Sequence, residues 1–139
     1  MLPIILPVDS AAENQARLIL VADDDPQVRH IMGRMLRRAG YAVLFAATDD
    51  EAVERFESEI DRIELVVLDL GLARGGAEAT LERMLEISTD FAVLIASGEP
   101  PSQAFRRRLR QLGGGFLTKP FRATALSSEV QRLLAARDD

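Results

Sequence analysis

No cysteine occurs in these 139 residues, which excludes disulfides, thiolate catalysis and cysteine-bound zinc. Histidine occurs once, at His30, so a histidine-based metal site or catalytic triad is not expected. Basic charge is also short. The formal net charge of −5 argues against a domain that grips nucleic acid by its phosphates. No apolar run approaches the roughly 20 residues that span a bilayer. The opening Leu2-Pro3-Ile4-Ile5-Leu6-Pro7 is short, proline-broken and without a basic lead-in, unlike a secretory signal. A cytoplasmic protein is the expectation. What remains is ordinary for one soluble domain with a single core: 47% hydrophobic and 28% charged residues.

The chain divides near residue 16. Residues 1–16 begin apolar and turn polar through Asp9-Ser10-Ala11-Ala12-Glu13-Asn14-Gln15, which reads as a linker; residues 17–139 form the domain. From Leu18 onward, short apolar runs alternate with amphipathic segments, the pattern of βα units around a parallel sheet. Leu18–Ala22 is apolar throughout, as a strand covered on both faces requires. Val28, Ile31, Met32, Met35 and Leu36 then repeat at helical spacing, and Gly40 closes that helix. A second strand is expected over about Tyr41–Ala46, followed by the capping-box spacing Thr48-Asp49-Asp50-Glu51. The helix it opens buries Ala52, Val53 and Phe56. The third strand ends at Asp69, and Gly71 with Gly75-Gly76 marks a loop before a helix through Leu81, Met84 and Leu85. A fourth strand covers about Phe91–Ala96 and an arginine-rich helix about Ser102–Leu112. Gly113-Gly114-Gly115, a short fifth strand and a helix over Leu126–Leu134 complete five units.

Five βα units favour a flavodoxin-like, doubly wound α/β fold with five helices and a five-stranded parallel sheet in the order 2-1-3-4-5. Such sheets place their functional groups beyond the carboxyl ends of the strands. Polar residues stand at those ends here. Asp23 and Asp24 follow the first strand, Asp69 closes the third, Ser97 follows the fourth and Lys119-Pro120 follows the fifth. Three carboxylates brought together repel one another unless a cation intervenes, and hard oxygen ligands suit Mg²⁺. Asp25 has a structural reason of its own, as an N-cap ahead of Pro26 at the first helical position. Asp23 and Asp24 read either as metal ligands or as acids drawn to a helix N-terminus. Ser97-Gly98 reads either as turn chemistry or as a hydroxyl for a phosphoryl oxygen. Lys119 is either a surface lysine or a mobile phosphate partner. His30 falls off the apolar stripe and is read as solvated, as are Arg106, Arg107, Arg108 and Arg110, whose other reading is a docking surface.

The motifs Ile19-Leu20-Val21-Ala22-Asp23-Asp24-Asp25-Pro26, Val67-Leu68-Asp69-Leu70, Ile95-Ala96-Ser97-Gly98 and Leu117-Thr118-Lys119-Pro120-Phe121 stand in order at strand ends. From about Arg17 to Ala136 the chain resembles the receiver domain of two-component response regulators. The resemblance implies that Asp69 accepts a phosphoryl group from a phosphohistidine on a histidine kinase or histidine phosphotransfer protein. Asp23, Asp24, Asp69 and the carbonyl of Gly71 would hold Mg²⁺, and Lys119 would offset charge on the transferring group. Ser97 would then bond the new phosphoryl oxygen, and Phe116 would turn inward as a switch coupled to the face of the fourth helix, fifth strand and fifth helix. It implies a cis Lys119-Pro120 peptide, self-catalysed phosphorylation and dephosphorylation rather than conventional enzyme turnover, no direct nucleic-acid or membrane contact, and a possible homodimer through the fourth and fifth helices.

Two departures stand out. Ala73 occupies the place of a family proline, and Arg74-Gly75-Gly76-Ala77 replaces an Asp-Gly, so a looser loop is expected. The Ser97-Gly98 and Gly115–Phe121 stretches look like receivers of hybrid sensor histidine kinases, and Ile4-Ile5-Leu6-Pro7 is similar to the exit of a kinase ATP-binding domain. The expectation is the C-terminal receiver of a hybrid kinase, with a single-domain regulator as the alternative. A phosphorylation-independent interaction module is disfavoured because every acid and the lysine are present. A Mg²⁺-dependent aspartyl-nucleophile phosphatase would want an acid two residues after Asp69, where Gly71 stands.

Overall fold

The apolar runs become five strands: β1 (Leu18–Ala22), β2 (Ala42–Ala46), β3 (Ile63–Asp69), β4 (Ala92–Ser97) and β5 (Gly115–Thr118). The computed structural model describes residues 16–72 and 76–139. Residues 1–15 of the expected linker, with the Ile4–Pro7 likeness, and the Ala73-Arg74-Gly75 departure therefore lie outside the described residues. The strands are parallel and lie in the order β2-β1-β3-β4-β5, the doubly wound arrangement expected.

Side chains alternate between sheet faces, and the two faces build two cores. Leu20, Ala22, Val66, Leu68 and Ile95 meet Phe56 of α2 (Asp49–Ser58), Leu81 and Met84 of α3 (Gly76–Ile87) and Phe105 and Leu109 of α4 (Gln103–Leu112). Ile19, Val21, Leu65, Val67 and Leu94 meet Met32 and Leu36 of α1 (Pro26–Arg38) and Leu126, Val130 and Leu133 of α5 (Ala123–Asp138). Burying each such side chain contributes roughly 1.5–3 kcal/mol, which makes the central strands the rigid support for whatever stands at their ends.

The helix caps follow the sequence. Asp25 accepts from the Gln27 and Val28 amides at 2.9 and 3.4 Å, with Pro26 first in α1. Thr48 accepts from the Glu51 amide at 3.1 Å, while Glu51 reaches back to the Ala47 amide at 2.9 Å. Gly113 closes α4 in the left-handed region at φ 70°, a conformation that costs glycine little. Gly33 has a packing reason instead: a Cβ there would meet Phe45 Cζ at 2.4 Å.

Three expectations are adjusted. Ile31, expected with the core stripe of α1, is 50% exposed, because Met32 and Leu36 centre the buried side and Ile31 falls on its edge. The last helix runs from Ala123 to Asp138, well beyond Leu126–Leu134. Its ends carry polar and small residues that leave no apolar signal. β2 begins at Ala42 rather than Tyr41.

Candidate functional site

Register decides which strand-end groups meet. Ala22 pairs with Leu68, so Asp23 and Asp69 follow side by side. Asp69 pairs with Ala96 and Ser97 with Thr118, which brings Ser97 and the start of the β5–α5 loop to the same edge. The Lys119 amide donates to the Ser97 carbonyl at 2.7 Å, and the following Lys119-Pro120 peptide is cis, as expected.

Lys119 ties the acids together. Its Nζ donates to Asp23 Oδ2 at 2.6 Å and to Asp69 Oδ1 at 3.0 Å. Asp23 is almost wholly buried, with 1% of its side chain exposed, against 14% for Asp69 and 21% for Lys119. Asp24 is exposed at the mouth. Asp23, Asp24 and Asp69 each offer a carboxylate oxygen within 4.8 Å of the others. The expected cluster is thus one place in space. Its donor set is all hard oxygen and anionic, which fits a divalent cation that keeps several waters, as Mg²⁺ does.

Burial is the main force raising the Asp69 carboxyl above the usual aspartate range, and Asp23 and Asp24 add repulsion. The Lys119 hydrogen bond and charge pull it back only in part. For Lys119 burial opposes the charged form, but its hydrogen bonds to Asp23 and Asp69 outweigh this and hold the ammonium above its ordinary value. A lysine so held stays charged at neutral pH.

The remaining candidates lie around this centre. Ser97 is buried, and its Oγ accepts from the Glu99 amide at 3.2 Å. The turn reading of Ser97-Gly98 is therefore realised, and the hydroxyl proton is left for an acceptor at the site. Gly71 sits beside the Asp69 carboxylate; a Cβ there would lie 3.5 Å from Asp69 Oδ2. Phe116 does not join the cluster. It is half-buried on β5, packed against the core side that holds α4, and borders a groove with Arg106, Leu109 and Arg110. His30 is exposed, as read.

Two supports were not foreseen. Arg29 Nη1 donates to the Asp23 carbonyl at 2.7 Å and clasps the β1–α1 turn. The Asp25 amide donates to Asp23 Oδ1 at 2.9 Å, leaving Oδ2 for Lys119. Beside Lys119, Val28, Ile31, Met32, Met35, Pro120 and Phe121 line an apolar groove of about 490 Å³. The signal for it was the Ile31 position, read as core. No helix among the described residues is long and apolar enough to cross a membrane.

A protein-family model described as the response regulator receiver domain matches residues 19–131. The chain is 28% identical over 102 residues to the virulence factors putative positive transcription regulator BvgA of Bordetella pertussis, covering 73% of this chain and 48% of that protein. It is 30% identical over 121 residues to the sensor kinase CckA of Brucella abortus, covering 86% of this chain and 13% of that protein. Among solved structures, a CheY-like response regulator receiver domain protein of Methanospirillum hungatei superposes with a TM-score of 0.80 at 22% identity, covering 89% of this chain and 98% of that one. The chain spans about half the length, or less, of these curated relatives.

Proposed function

Because the chain belongs to the response regulator receiver domain family, we propose that Asp69 is its phosphoacceptor and that Asp23, Asp24 and Lys119 serve the transfer. One observation carries this reading: Lys119 Nζ bridges Asp23 and Asp69 at the sheet edge while Asp24 stands open beside them. In the transfer, an Asp69 carboxylate oxygen attacks phosphorus, a P–O bond forms and the P–N bond to the donor imidazole breaks. The imidazole leaves with the electron pair and takes a proton from solvent. A bound Mg²⁺ supplies charge neutralisation for the phosphoryl oxygens.

The residues do the positioning. Asp23, fixed through Asp25 and Arg29, and Asp24 would hold the cation with Asp69, and the Gly71 carbonyl would be the fourth protein ligand. Lys119 is poised to leave Asp69 for a phosphoryl oxygen, at little cost, because it keeps Asp23 as a partner. Ser97 donates its free hydroxyl proton to another phosphoryl oxygen. The movement that follows reaches Phe116 through Ser97 at the end of β4, since β4 and β5 are hydrogen-bonded neighbours.

The donor is a histidine kinase or histidine phosphotransfer protein, and the groove at Ile31 and Phe121 is suited to an apolar helix face beside the donor histidine. Residues 17–139 form the receiver. Its parent is read as a hybrid sensor kinase, supported by the Ser97-Gly98 and Gly115–Phe121 stretches and the likeness to CckA. A genomic reading frame encoding no kinase domain upstream would replace that parent with a single-domain regulator. The test of the site is a beryllofluoride titration with Mg²⁺, followed by amide chemical shifts. Saturation with shifts at Asp69, Ser97 and Phe116, lost in Asp69→Asn and without Mg²⁺, is the expected result. No binding would leave a phosphorylation-independent interaction module as the function.

A further inference from the structure

We infer that Arg29 is a positioning residue for the cation site: it holds the peptide between Asp23 and Asp24 so that the Asp24 carboxylate faces the ion, and it thereby raises the affinity for Mg²⁺. The inference rests on the reading of Asp23, Asp24 and Asp69 as cation ligands. Two of these acids are held by their side chains. Asp23 takes the Asp25 amide at 2.9 Å and Lys119 at 2.6 Å, and Asp69 takes Lys119 at 3.0 Å. Asp24 differs. It is exposed, and among the described residues its carboxylate has no hydrogen bond or ion pair. It still brings an oxygen within 4.8 Å of one on each of the others. With no partner for its side chain, its aim depends on where the backbone puts its Cα–Cβ bond.

That backbone is pinned on both sides. The Asp23 amide donates to the Ala46 carbonyl at 3.1 Å, and the Asp25 amide is held by Asp23 Oδ1. The peptide between Asp23 and Asp24 is planar, so it turns only through ψ of Asp23 and φ of Asp24. Its carbonyl accepts from Arg29 Nη1 at 2.7 Å in a partly buried position, and this bond stops the rotation. Without it the peptide turns, and the Asp24 Cα–Cβ bond turns with it.

The place of Arg29 in α1 explains its reach. Asp25 is the N-cap and Pro26 opens the helix, so Arg29 is the fourth helical residue, its own amide bonded to the Asp25 carbonyl at 3.0 Å. Helical side chains lean toward the N-terminus, which sends a long one at this position back over the first turn to residue 23. A cation at a helix N-terminus opposes the macrodipole, and α1 has no acid in its first turn to offset it. The acids at the strand ends do so instead. The guanidinium acts on a bound ion in two opposite senses: order tightens binding and positive charge weakens it. Solvent reaches Arg29 and screens its charge, whereas loss of an outer partner of a metal ligand lowers affinity about 10–100-fold. Order is the larger effect.

The test titrates Mg²⁺ into the unphosphorylated, ¹⁵N-labelled chain, followed at the Asp23, Asp24 and Leu70 amides. Expected is about tenfold weaker binding in Arg29→Met, which has neither donor nor charge, and recovery to within about threefold of the parent in Arg29→Lys, which keeps both. In chelator the order parameter of the Asp24 amide falls in Arg29→Met while those of β1 hold. Gly33→Ala, which burdens the same helix against Phe45, binds Mg²⁺ like the parent, so the loss is not a general loosening of α1. Should Arg29→Met fail to fold, Arg29→Gln, polar but too short to reach the carbonyl, carries the same expected loss. Equal or tighter binding by the variant without the guanidinium, no recovery in Arg29→Lys, or an equal loss in Gly33→Ala overturns this inference alone. A parent that binds no Mg²⁺ at these amides overturns the cation reading and the inference with it.

Discussion

Consider the metal-free protein with Asp69→Asn, a change that removes one charge and keeps the side chain's size. Asp23 and Asp24 offer carboxylate oxygens within 4.8 Å of one on Asp69, which at an effective dielectric near 20 is about 3.5 kcal/mol of repulsion from the buried Asp23 and less from the exposed, solvent-screened Asp24. Against this stands Lys119 at 3.0 Å, an attraction of about 5.5 kcal/mol on the same scale. The charges therefore come close to cancelling, and burial, the largest cause, sets the sign against the Asp69 charge. Asparagine escapes the repulsion and still accepts from Lys119 through its amide oxygen. The variant is therefore expected to be more stable than the parent, by a few °C in thermal midpoint for a chain of this size, each ~1 kcal/mol moving the midpoint by roughly 2–8 °C.

The pH dependence has a definite sign. The folded Asp69 carboxyl titrates above its ordinary 3.8, so the folded state binds the proton more tightly than the unfolded one. Parent stability then falls as pH rises from that ordinary value through the raised one. The gap between variant and parent opens over this window and closes below it, where Asp69 is neutral in both states. Mg²⁺ narrows the gap at neutral pH, because it stabilises the parent more than a variant lacking one carboxylate. Circular dichroism melts in chelator and in Mg²⁺, at several pH values, measure all of this. A variant equal to or less stable than the parent in chelator would refute the picture of a charge-strained cluster.

Other perturbations have equally direct outcomes. Lys119→Met leaves three acids without their cation and is expected to cost about 2–3 kcal/mol in chelator, below the full loss for a wholly buried pair because Lys119 keeps some solvent contact; urea denaturation reads it. Since the Lys119 ammonium is held above its ordinary 10.5, its contribution is present below that value and is lost only as pH rises through the folded one. Gly33→Ala drives a methyl into the Phe45 ring, with an expected cost of about 1–3 kcal/mol in the same assay. Ile31→Glu is expected to slow transfer from a phosphohistidine protein donor while leaving phosphorylation by acetyl phosphate unchanged; equal rates from the protein donor would remove the groove from docking. Ser97→Ala forfeits one acceptor for the Glu99 amide, worth about 1 kcal/mol, and should weaken beryllofluoride binding without abolishing it.

The strands and the site were legible for the same reason. A strand buried on both faces must be apolar along its length, so a charged residue at its end is conspicuous, and the topology then says that such ends converge. That convergence made Asp23, Asp69 and Lys119 candidates, while the helix-start reading of Asp23 and the surface reading of Lys119 stayed open until the strand register brought the three together. The exposure of Ile31 did not, because periodicity marks a stripe without marking its edge. The full extent of α5 was hidden by its polar ends, which are held by ion pairs such as Arg17 with Asp138 across the fold. The pairing of Arg108 with Glu82 and the clasp of Arg29 on the Asp23 carbonyl depend on how the elements pack, which residue spacing along one helix does not encode. Phe116 lies on the fifth strand as expected, packed on the core side that holds α4.

The most direct test of Asp69 as phosphoacceptor is borohydride trapping. The protein is incubated with acetyl phosphate and Mg²⁺, reduced, digested and mapped by peptide mass, since reduction converts an aspartyl phosphate to homoserine. The expected result is homoserine at position 69 alone, dependent on Mg²⁺ and absent from Asp69→Asn. Trapping at Asp23 or Asp24, or an unmodified position 69 in protein that has bound beryllofluoride, would contradict it.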